Sequence, residues 1–289
     1  VLAEKLPMAL IHEGVGVDMR DPSGKSAPGD RVVMVPNCPT ETDDYIGENY
    51  LRSSKFCGSS MDGFLQEYVE ISPRRLVKLP QDINMNVAAF TEIVSVAVHA
   101  ISRFDKIAHA RRDTIGVWGD GNLAYIVSLF LKKTFPDSKV YVFGLNDDKL
   151  ADFTFADGAY KTTEVPEGFT MDHAFECVGG NGSPIAIEQI IGLIKPEATL
   201  SILGVSEYPV PINTRMILEK GLRVFGSSRS GVADFEKTVQ MYQQYPEIID
   251  YLGNLISSVN VVRTTTDIKQ AFEKDTQKAF GKTIMVWQE

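Results

Sequence analysis

The chain has 289 residues, of which 44% are hydrophobic and 23% charged, and its formal net charge is −9. This length suits one large or two modest domains with a sizeable core, which excludes a disulfide-stapled miniature protein. The acidic balance repels phosphate backbones and anionic membrane surfaces, so neither nucleic acid nor a membrane is an expected partner. Three widely spaced cysteines without a CxxC pair favour a reducing, cytoplasmic compartment.

The first 90 residues consist of short β-type runs separated by glycine and proline. Arg31–Val35 follows a Pro-Gly-Asp turn and Phe64–Val69 follows Asp-Gly, so both are predicted strands. Residues 36–60, which lie between them, are mostly polar and are predicted to form a long lobe or loop. Apolar residues then recur at helical spacing over Thr91–Phe104, which predicts a long helix that leads out of this β-rich region.

From residue 114 onward, strands and helices alternate. The predicted segments are Thr114–Trp118, Leu123–Lys133, Lys139–Phe143, Lys149–Phe155, Ala174–Cys177, Ile185–Ile194, Thr199–Leu203 and Leu222–Phe225. This βαβ alternation indicates an α/β fold with a doubly wound, Rossmann-type parallel sheet. The tail adds a helix near 232–245, a short helix near 267–272 and a strand at 283–287, and we expect it to join the β-rich head in one discontinuous domain. The expected division is residues 94–227 for the dinucleotide-binding domain and residues 1–93 with 228–289 for the catalytic domain.

A GxGxxA motif, formed by Gly119-Asp120-Gly121-Asn122-Leu123-Ala124, follows the first of these strands. The first glycine permits a tight turn, the second lets the backbone approach a pyrophosphate, and the small Ala124 allows helix and strand to pack closely. Asn122 and Leu123 open the helix whose N-terminus would face the phosphates. The motif alone would fit any glycine-rich βα turn, but the strand before it and the helix after it predict a dinucleotide site.

The residue at the end of the second strand bears on the choice between NAD and NADP. NAD enzymes carry a carboxylate about 20 positions beyond the motif, where it binds the ribose 2′-hydroxyl. That count arrives at Gly144, which has no side chain, and Lys149 follows where its charge could face a 2′-phosphate. The pattern favours NADP(H). The alternative is that Asp147 or Asp148 supplies the carboxylate and the cofactor is NAD.

A second group of candidate residues consists of a His-Glu pair and a distant carboxylate. His12 and Glu13 are adjacent in the chain, and Glu92 lies where the β-rich head meets the long helix. Imidazole and carboxylate are competent zinc ligands, so His12, Glu13 and Glu92 form the candidate metal site. The alternative is an ordinary surface pair. Cys38 and Cys57 lack a second pair of cysteines and are expected to be structural or incidental.

Seven segments carry a resemblance to a known family: PMALIHEGVG, PGDRVVMVP, DGFLQEYV, TEIVSVAVHAI, VWGDGNLA, HAFECVGG and GKTIMVW. In this order and over the whole chain they resemble the zinc-dependent medium-chain alcohol and polyol dehydrogenases. Four further segments, ENYLRSS, LGVSE, LEKGL and GSSRSG, resemble more closely the ribulose-5-phosphate reductases, which make ribitol 5-phosphate. The resemblance implies a GroES-like catalytic domain and NADPH-dependent, zinc-assisted reduction of D-ribulose 5-phosphate, for CDP-ribitol and cell-wall teichoic acid synthesis.

The resemblance also assigns roles to particular residues. His12 and Glu13 match the zinc-site His-Glu pair of the family, and Glu92 matches the nearby carboxylate of members similar to sorbitol dehydrogenase. One catalytic zinc is therefore implied. By the same resemblance, Gly144 stands where NAD-using members have aspartate, and Lys149 where many members have a basic residue.

Two departures from the family pattern modify these expectations. The structural zinc lobe of the family uses four cysteines, and residues 36–61 contain only Cys38 and Cys57, so no structural zinc is expected. Family members also extend further at the N-terminus, where a zinc-ligand cysteine and a proton relay lie. The chain is therefore expected to be N-terminally incomplete.

The expected small-molecule partner is a sugar phosphate. An acidic protein needs a local basic cluster to hold one, and Arg52, Lys55 and Arg229 are the candidates, with a solvated surface role as the alternative. The other implied partners are a second copy of the chain in a homodimer and a cytidylyltransferase of the same pathway. The rival functions are another medium-chain polyol or alcohol dehydrogenase and a metal-free protein that binds NADPH without turnover.

Overall fold

The structure is a computed structural model that describes residues 6–277 and 280–288. The chain divides into two compact units. One unit comprises the chain up to Val96 together with the chain from Arg229 onward, and the other comprises Ala97–Ser228. The domain boundaries expected from the sequence lay after residues 93 and 227, whereas the two units divide after Val96 and Ser228. No helix among the described residues combines the length and the apolar character needed to cross a bilayer.

The strands and helices alternate along most of the chain. In chain order they are β1 (Val15–Val17), β2 (Arg31–Met34), β3 (Asn37–Cys38), β4 (Lys55–Phe56), β5 (Leu76–Lys78), α1 (Met85–Ala88), α2 (Thr91–Ile107), β6 (Thr114–Trp118), α3 (Asn122–Thr134), β7 (Lys139–Gly144), α4 (Asp147–Leu150), β8 (Gly158–Lys161), β9 (Met171–Glu176), α5 (Ser183–Leu193), β10 (Ile194–Ile202), α6 (Thr214–Lys220), β11 (Arg223–Gly226), α7 (Val232–Gln244), α8 (Glu247–Gly253), β12 (Ile256–Val262), α9 (Thr265–Gln277) and β13 (Lys282–Trp287). Short 3₁₀ turns lie at Pro73–Arg75 and Gly180–Gly182.

The second unit is built on a parallel sheet of six strands in the order β11-β10-β9-β6-β7-β8. Its central strands are buried almost throughout, because helices cover both faces of a doubly wound sheet. The chain runs from β6 to β7 on one side and places β9 on the other side of β6. The strand order thus reverses at β6, and ligands of open α/β sheets bind at such a point, beyond the carboxyl ends of the strands.

The first unit contains smaller sheets. Strands β1, β2 and β5 form an antiparallel sheet, β12 pairs with β13 in parallel, and β3 pairs with β4. Met34, Cys57 and Phe64 form a buried apolar cluster beneath this region. The predicted polar lobe at 36–60 consists mostly of turns, apart from the two short strands β3 and β4.

Two predicted elements are wrong. Residues 64–69 form no strand, because the segment donates N–H groups from Gly63, Phe64 and Leu65 to residues 9–11 without a regular ladder. The helix predicted over Lys149–Phe155 ends at Leu150. The rings of Phe153 and Phe155 instead pack on Tyr125 of α3, with centroids 5.2 and 5.0 Å away, so tertiary contacts override the local apolar spacing.

Nine elements were not predicted, namely β1, β3, β4, β5, α1, β8, α6, α8 and β12. Strand β8 has the sequence GAYK, too short for an alternating pattern to be recognised, and it forms because β7 offers a free edge for pairing. Strand β12 does alternate between more exposed and less exposed residues and could have been predicted from that pattern. The predicted short helix near 267–272 is the middle of the longer α9.

Candidate active site

The backbone just before His12 is held in an uncommon conformation. Ile11 has a φ of 66°, a region that a β-branched residue occupies only when its surroundings impose it. Phe64 N–H donates to the Ile11 carbonyl at 2.7 Å. A Cβ atom on Gly63 would lie 2.1 Å from that same carbonyl oxygen, so only glycine fits there. The resulting turn at Ile11 helps to orient the side chain of the next residue, His12.

His12, Glu13 and Glu92 converge in the first unit. One ligand atom from each of the three residues lies within 4.8 Å of the others, and His12 Nε2 is 4.0 Å from Glu92 Oε2. Glu92 belongs to the first turn of α2 and is only 6% exposed. The His12 ring packs against Phe56, with centroids 5.1 Å apart. Within residues 6–277 and 280–288, no other group of three His, Cys, Asp or Glu ligands is as closely assembled.

The electrostatics of this cluster favour a bound cation. Burial raises the pKa of Glu92 to about 8, with a further contribution from the charge of Glu13, while Lys282 opposes the shift. Burial lowers the pKa of His12, so its imidazole is neutral and offers a lone pair. Lys282 donates a hydrogen bond to Glu13 Oε1 and compensates that carboxylate. Glu92 is therefore a buried carboxylate that Lys282 compensates only in part, and a metal ion would supply the remaining positive charge.

This arrangement predicts how the stability of the metal-free protein depends on pH. A folded-state pKa raised to about 8 means that the stabilising, protonated form of Glu92 is fully present below the ordinary value of 4.5 and is lost as pH rises through 8. The free energy of unfolding should fall over this range by at most about 1.4 kcal/mol per pH unit. Glu92→Gln should remove this decline. Urea unfolding in chelator at several pH values measures the effect, with exposed Glu236→Gln as the control. Equal pH slopes in wild type and Glu92→Gln would contradict the account.

The guanidinium of Arg229 lies over the ring of Phe56, with its Cζ 4.7 Å from the ring centroid. The same ring contacts His12, and the charge of Arg229 helps to lower the pKa of His12. Of the three basic candidates, the structure therefore brings Arg229 to the cluster. Arg52 and Lys55 are exposed residues of the 36–60 lobe.

Cys38 and Cys57 are neighbours in this lobe. Their thiols hydrogen-bond to each other, which lowers the pKa of Cys38 to about 7 and raises that of Cys57. Both are free cysteines. The expectation that the chain binds no structural zinc stays a prediction.

The GxGxxA segment has the geometry that its residue types predict. Gly119 follows β6 with a φ of 128°, and a Cβ atom on it would lie 3.3 Å from the Cβ of the fully buried Ala124. Gly121 is the N-cap of α3, and Asn122 and Leu123 form its first turn. The first N–H groups of this helix lie just beyond the carboxyl end of β6, where they could bind a pyrophosphate.

Gly144 is the last residue of β7, but a carboxylate lies beside it after all. Asp120 Oδ2 accepts hydrogen bonds from Leu145 N at 2.7 Å and Asn146 N at 2.9 Å. A Cβ atom on Gly144 would lie 2.7 Å from the Cβ of Asp120, so an aspartate introduced at 144 would displace Asp120. Lys149 is in α4, two residues beyond Asp147, which forms an ion pair with Lys161.

Three residues of these sites were missed in the sequence. Lys282 lies in the GKTIMVW segment but is separated from Glu13 by 269 positions. Asp120 occupies a variable position inside the dinucleotide motif, and Phe56 is one aromatic residue in a polar lobe. Only Asp120 carried a usable signal, since its place in a tight βα turn puts it next to the end of β7.

Comparison with known proteins agrees with this geometry. Residues 139–244 match the zinc-binding dehydrogenase family, and residues 2–81 match the GroES-like domain of alcohol dehydrogenases. The chain is 56% identical to the ribulose-5-phosphate reductase of Bacillus spizizenii, over 99% of this chain and 84% of that protein. Its identity to the ribulose-5-phosphate reductase of Streptococcus pneumoniae is 42%, over 100% of this chain and 83% of that protein. The crystal structure of S. aureus TarJ in complex with NADPH matches with a TM-score of 0.89 at 46% identity, covering 100% of this chain and 84% of that one.

The chain belongs to the zinc-binding medium-chain dehydrogenase family, whose GroES-like domain and Rossmann-type sheet it shares. Relatives that are 42% to 56% identical over at least 99% of the chain are ribulose-5-phosphate reductases. The family predicted from the sequence segments is thereby confirmed, and so is the predicted fold class.

Proposed function

We propose that this chain reduces D-ribulose 5-phosphate to D-ribitol 5-phosphate with NADPH. The observation that carries the proposal is the cluster of one neutral imidazole and two carboxylates in a relative of ribulose-5-phosphate reductases. One of the carboxylates, Glu92, is buried and only partly compensated by a positive charge. Such a donor set suits zinc in a catalytic site that keeps a position open for substrate.

The residues that would hold the zinc are His12, Glu13 and Glu92. His12 offers its neutral ring, and Glu92 is fixed by the first turn of α2. Lys282 orients Glu13 through its hydrogen bond and limits the negative charge of the site. Bound zinc would supply a Lewis acid that polarises the ketone carbonyl.

The dinucleotide would bind at the carboxyl end of the six-stranded sheet. Gly119, Gly121 and the first turn of α3 would receive its pyrophosphate through backbone N–H groups, since a helix N-terminus favours an anion. Gly144 and Lys149 would lie at its adenosine ribose. Bound NADPH would supply the hydride.

The phosphate on C5 of the substrate needs a positive group within reach of the site that holds the C2 carbonyl. Arg229, held over Phe56 and close enough to His12 to lower its pKa, meets that requirement better than Arg52 or Lys55. A guanidinium can bind a phosphate through two parallel hydrogen bonds, which makes the contact both strong and directional.

The function is tested by the oxidation of NADPH by the full-length, zinc-loaded protein with D-ribulose 5-phosphate or D-ribulose as substrate. We expect kcat/KM to be about 100-fold higher for the phosphorylated ketose, which corresponds to about 2.7 kcal/mol from phosphate contacts. Equal efficiency with both ketoses would contradict the proposal and favour a general polyol dehydrogenase.

Cofactor choice is tested at Lys149. Lys149→Ala should lower kcat/KM with NADPH by about 10- to 100-fold and leave the value with NADH nearly unchanged, because a charge-assisted contact to the 2′-phosphate is lost. This variant is a cleaner test than Gly144→Asp, which would displace Asp120. Lys139→Ala, at the opposite end of β7, is the matched control. A wild-type protein that prefers NADH would contradict the prediction and point to Asp147 or Asp148.

The remaining partners and the compartment are predictions. A homodimer is tested by sedimentation of the purified protein, and association with a cytidylyltransferase by co-purification of the two proteins. The cytoplasmic location is tested by fractionation of cells that produce the protein.

A further inference from the structure

Glu176, the last residue of β9, is a buried carboxylate whose hydrogen-bond partners are backbone amides. Its side chain accepts N–H groups from Val178 at 3.0 Å and Gly179 at 2.9 Å through Oε1, and from Gly204 at 3.1 Å through Oε2. The residue is fully buried. A buried carboxylate is costly unless its oxygens are hydrogen-bonded, and three amide donors meet that need.

These bonds join two loops, one after β9 and the other after β10. Gly180 N–H donates to the Val205 carbonyl at 2.8 Å, so the loops also contact each other directly. A Cβ atom on Gly204 would lie 2.3 Å from Gly179 N and 2.6 Å from Glu176 Oε1. The loops thus approach closely around Gly204, and the Glu176 carboxylate binds a backbone N–H group of each loop.

The two loops lie at the carboxyl edge of the sheet, next to the dinucleotide motif. Cys177 N–H donates to the Trp118 carbonyl at 2.8 Å, and a Cβ atom on Gly119 would lie 3.1 Å from the Cys177 carbonyl oxygen. The strands lie in the order β10-β9-β6-β7. If the pyrophosphate binds at the end of β6 and the adenosine lies towards β7, the nicotinamide half of the cofactor lies at the ends of β9 and β10. Val178 and Val205 are exposed on these loops and offer apolar surface there.

We propose that Glu176 is a positioning residue, which fixes the loops after β9 and β10 so that they receive the nicotinamide half of NADPH. This inference rests on the proposed function. Glu176 makes no contact with the cofactor itself in this proposal and acts through the backbone of Val178, Gly179 and Gly204.

The test compares two ligands on the full-length protein. Glu176→Gln keeps the size of the side chain but presents an NH₂ group to one of the three amide donors. We expect it to weaken NADPH about 10-fold while changing the affinity for 2′,5′-ADP, which lacks the nicotinamide, by less than about two-fold. The blue shift of NADPH fluorescence on binding should also shrink. Exposed Glu188→Gln, on α5, is the matched control and should leave both affinities unchanged.

An equal loss of affinity for both ligands would show that Glu176 only supports the fold, and unchanged affinity for both would show that it is dispensable. Either result would overturn this inference but not the proposed function. If Glu176→Gln does not fold, Ser206→Ala replaces it, because this exposed hydroxyl joins the same loops through the Gly180 carbonyl. Unchanged NADPH affinity in Ser206→Ala would then overturn the inference, and a selective loss of about two- to three-fold would support it. A wild-type protein that binds neither ligand would overturn the proposed function as well.

Discussion

Replacing His12 with alanine should lower kcat for ribulose 5-phosphate by about 1,000-fold or more, or about 4 kcal/mol, because the variant loses a metal ligand. The zinc content of the purified protein should fall with it. The Kd for NADPH should change by less than about two-fold, since the GxGxxA segment belongs to the unit formed by residues 97–228 and His12 does not. Steady-state kinetics, metal analysis and NADPH fluorescence titration measure the three quantities.

The matched control is His109→Ala. His109 packs on His173 in the second unit, with ring centroids 4.3 Å apart, and has no place in the proposed site. This variant should keep the wild-type kcat and zinc content. A His12→Ala protein that retained full activity after chelation would exclude the metal role of the cluster.

Replacing Arg229 with alanine should lower kcat/KM for ribulose 5-phosphate by about 100-fold and leave kcat/KM for ribulose almost unchanged. The reason is that its guanidinium, stacked on Phe56, is the one of the three basic candidates that the structure brings to the His12 cluster. Arg229 has a φ of 59°, and alanine at this position keeps the same backbone requirement, so the change isolates the loss of the guanidinium. Kinetics with the two ketoses at fixed ionic strength measure the effect.

Arg74→Ala, which removes an exposed arginine of the same unit, controls for the change in net charge. It should leave the preference for the phosphorylated ketose intact. If Arg229→Ala kept that preference while a variant of Arg52 or Lys55 lost it, the phosphate site would lie on the lobe instead.

The dinucleotide segment was predictable because its chemistry is local. Gly119, Gly121 and Ala124 are close in the chain, and each meets its steric requirement within one βα turn. The ends of α4 were not predictable in the same way. Phe153 and Phe155 lie beyond the end of α4 and pack on Tyr125, a contact that depends on where α3 lies in the fold.

The candidate metal site was only partly predictable. His12 and Glu13 form a recognisable pair, but the strained turn at Ile11 that orients them depends on the tight fit against Gly63. The pairing of Glu13 with Lys282 joins opposite ends of the chain, and no spacing rule connects them. Gly144 was interpreted as an absence of negative charge, whereas Asp120 brings a carboxylate to it from the preceding turn.

The most direct test of the account is a zinc titration of the metal-free, full-length protein in which the oxidation of NADPH by ribulose 5-phosphate is followed in the same sample. We expect the rate to rise in proportion to added zinc and to stop rising at one equivalent per chain, because His12, Glu13 and Glu92 form a single site. Full activity before zinc is added, or a rate that does not respond to zinc at all, would contradict it.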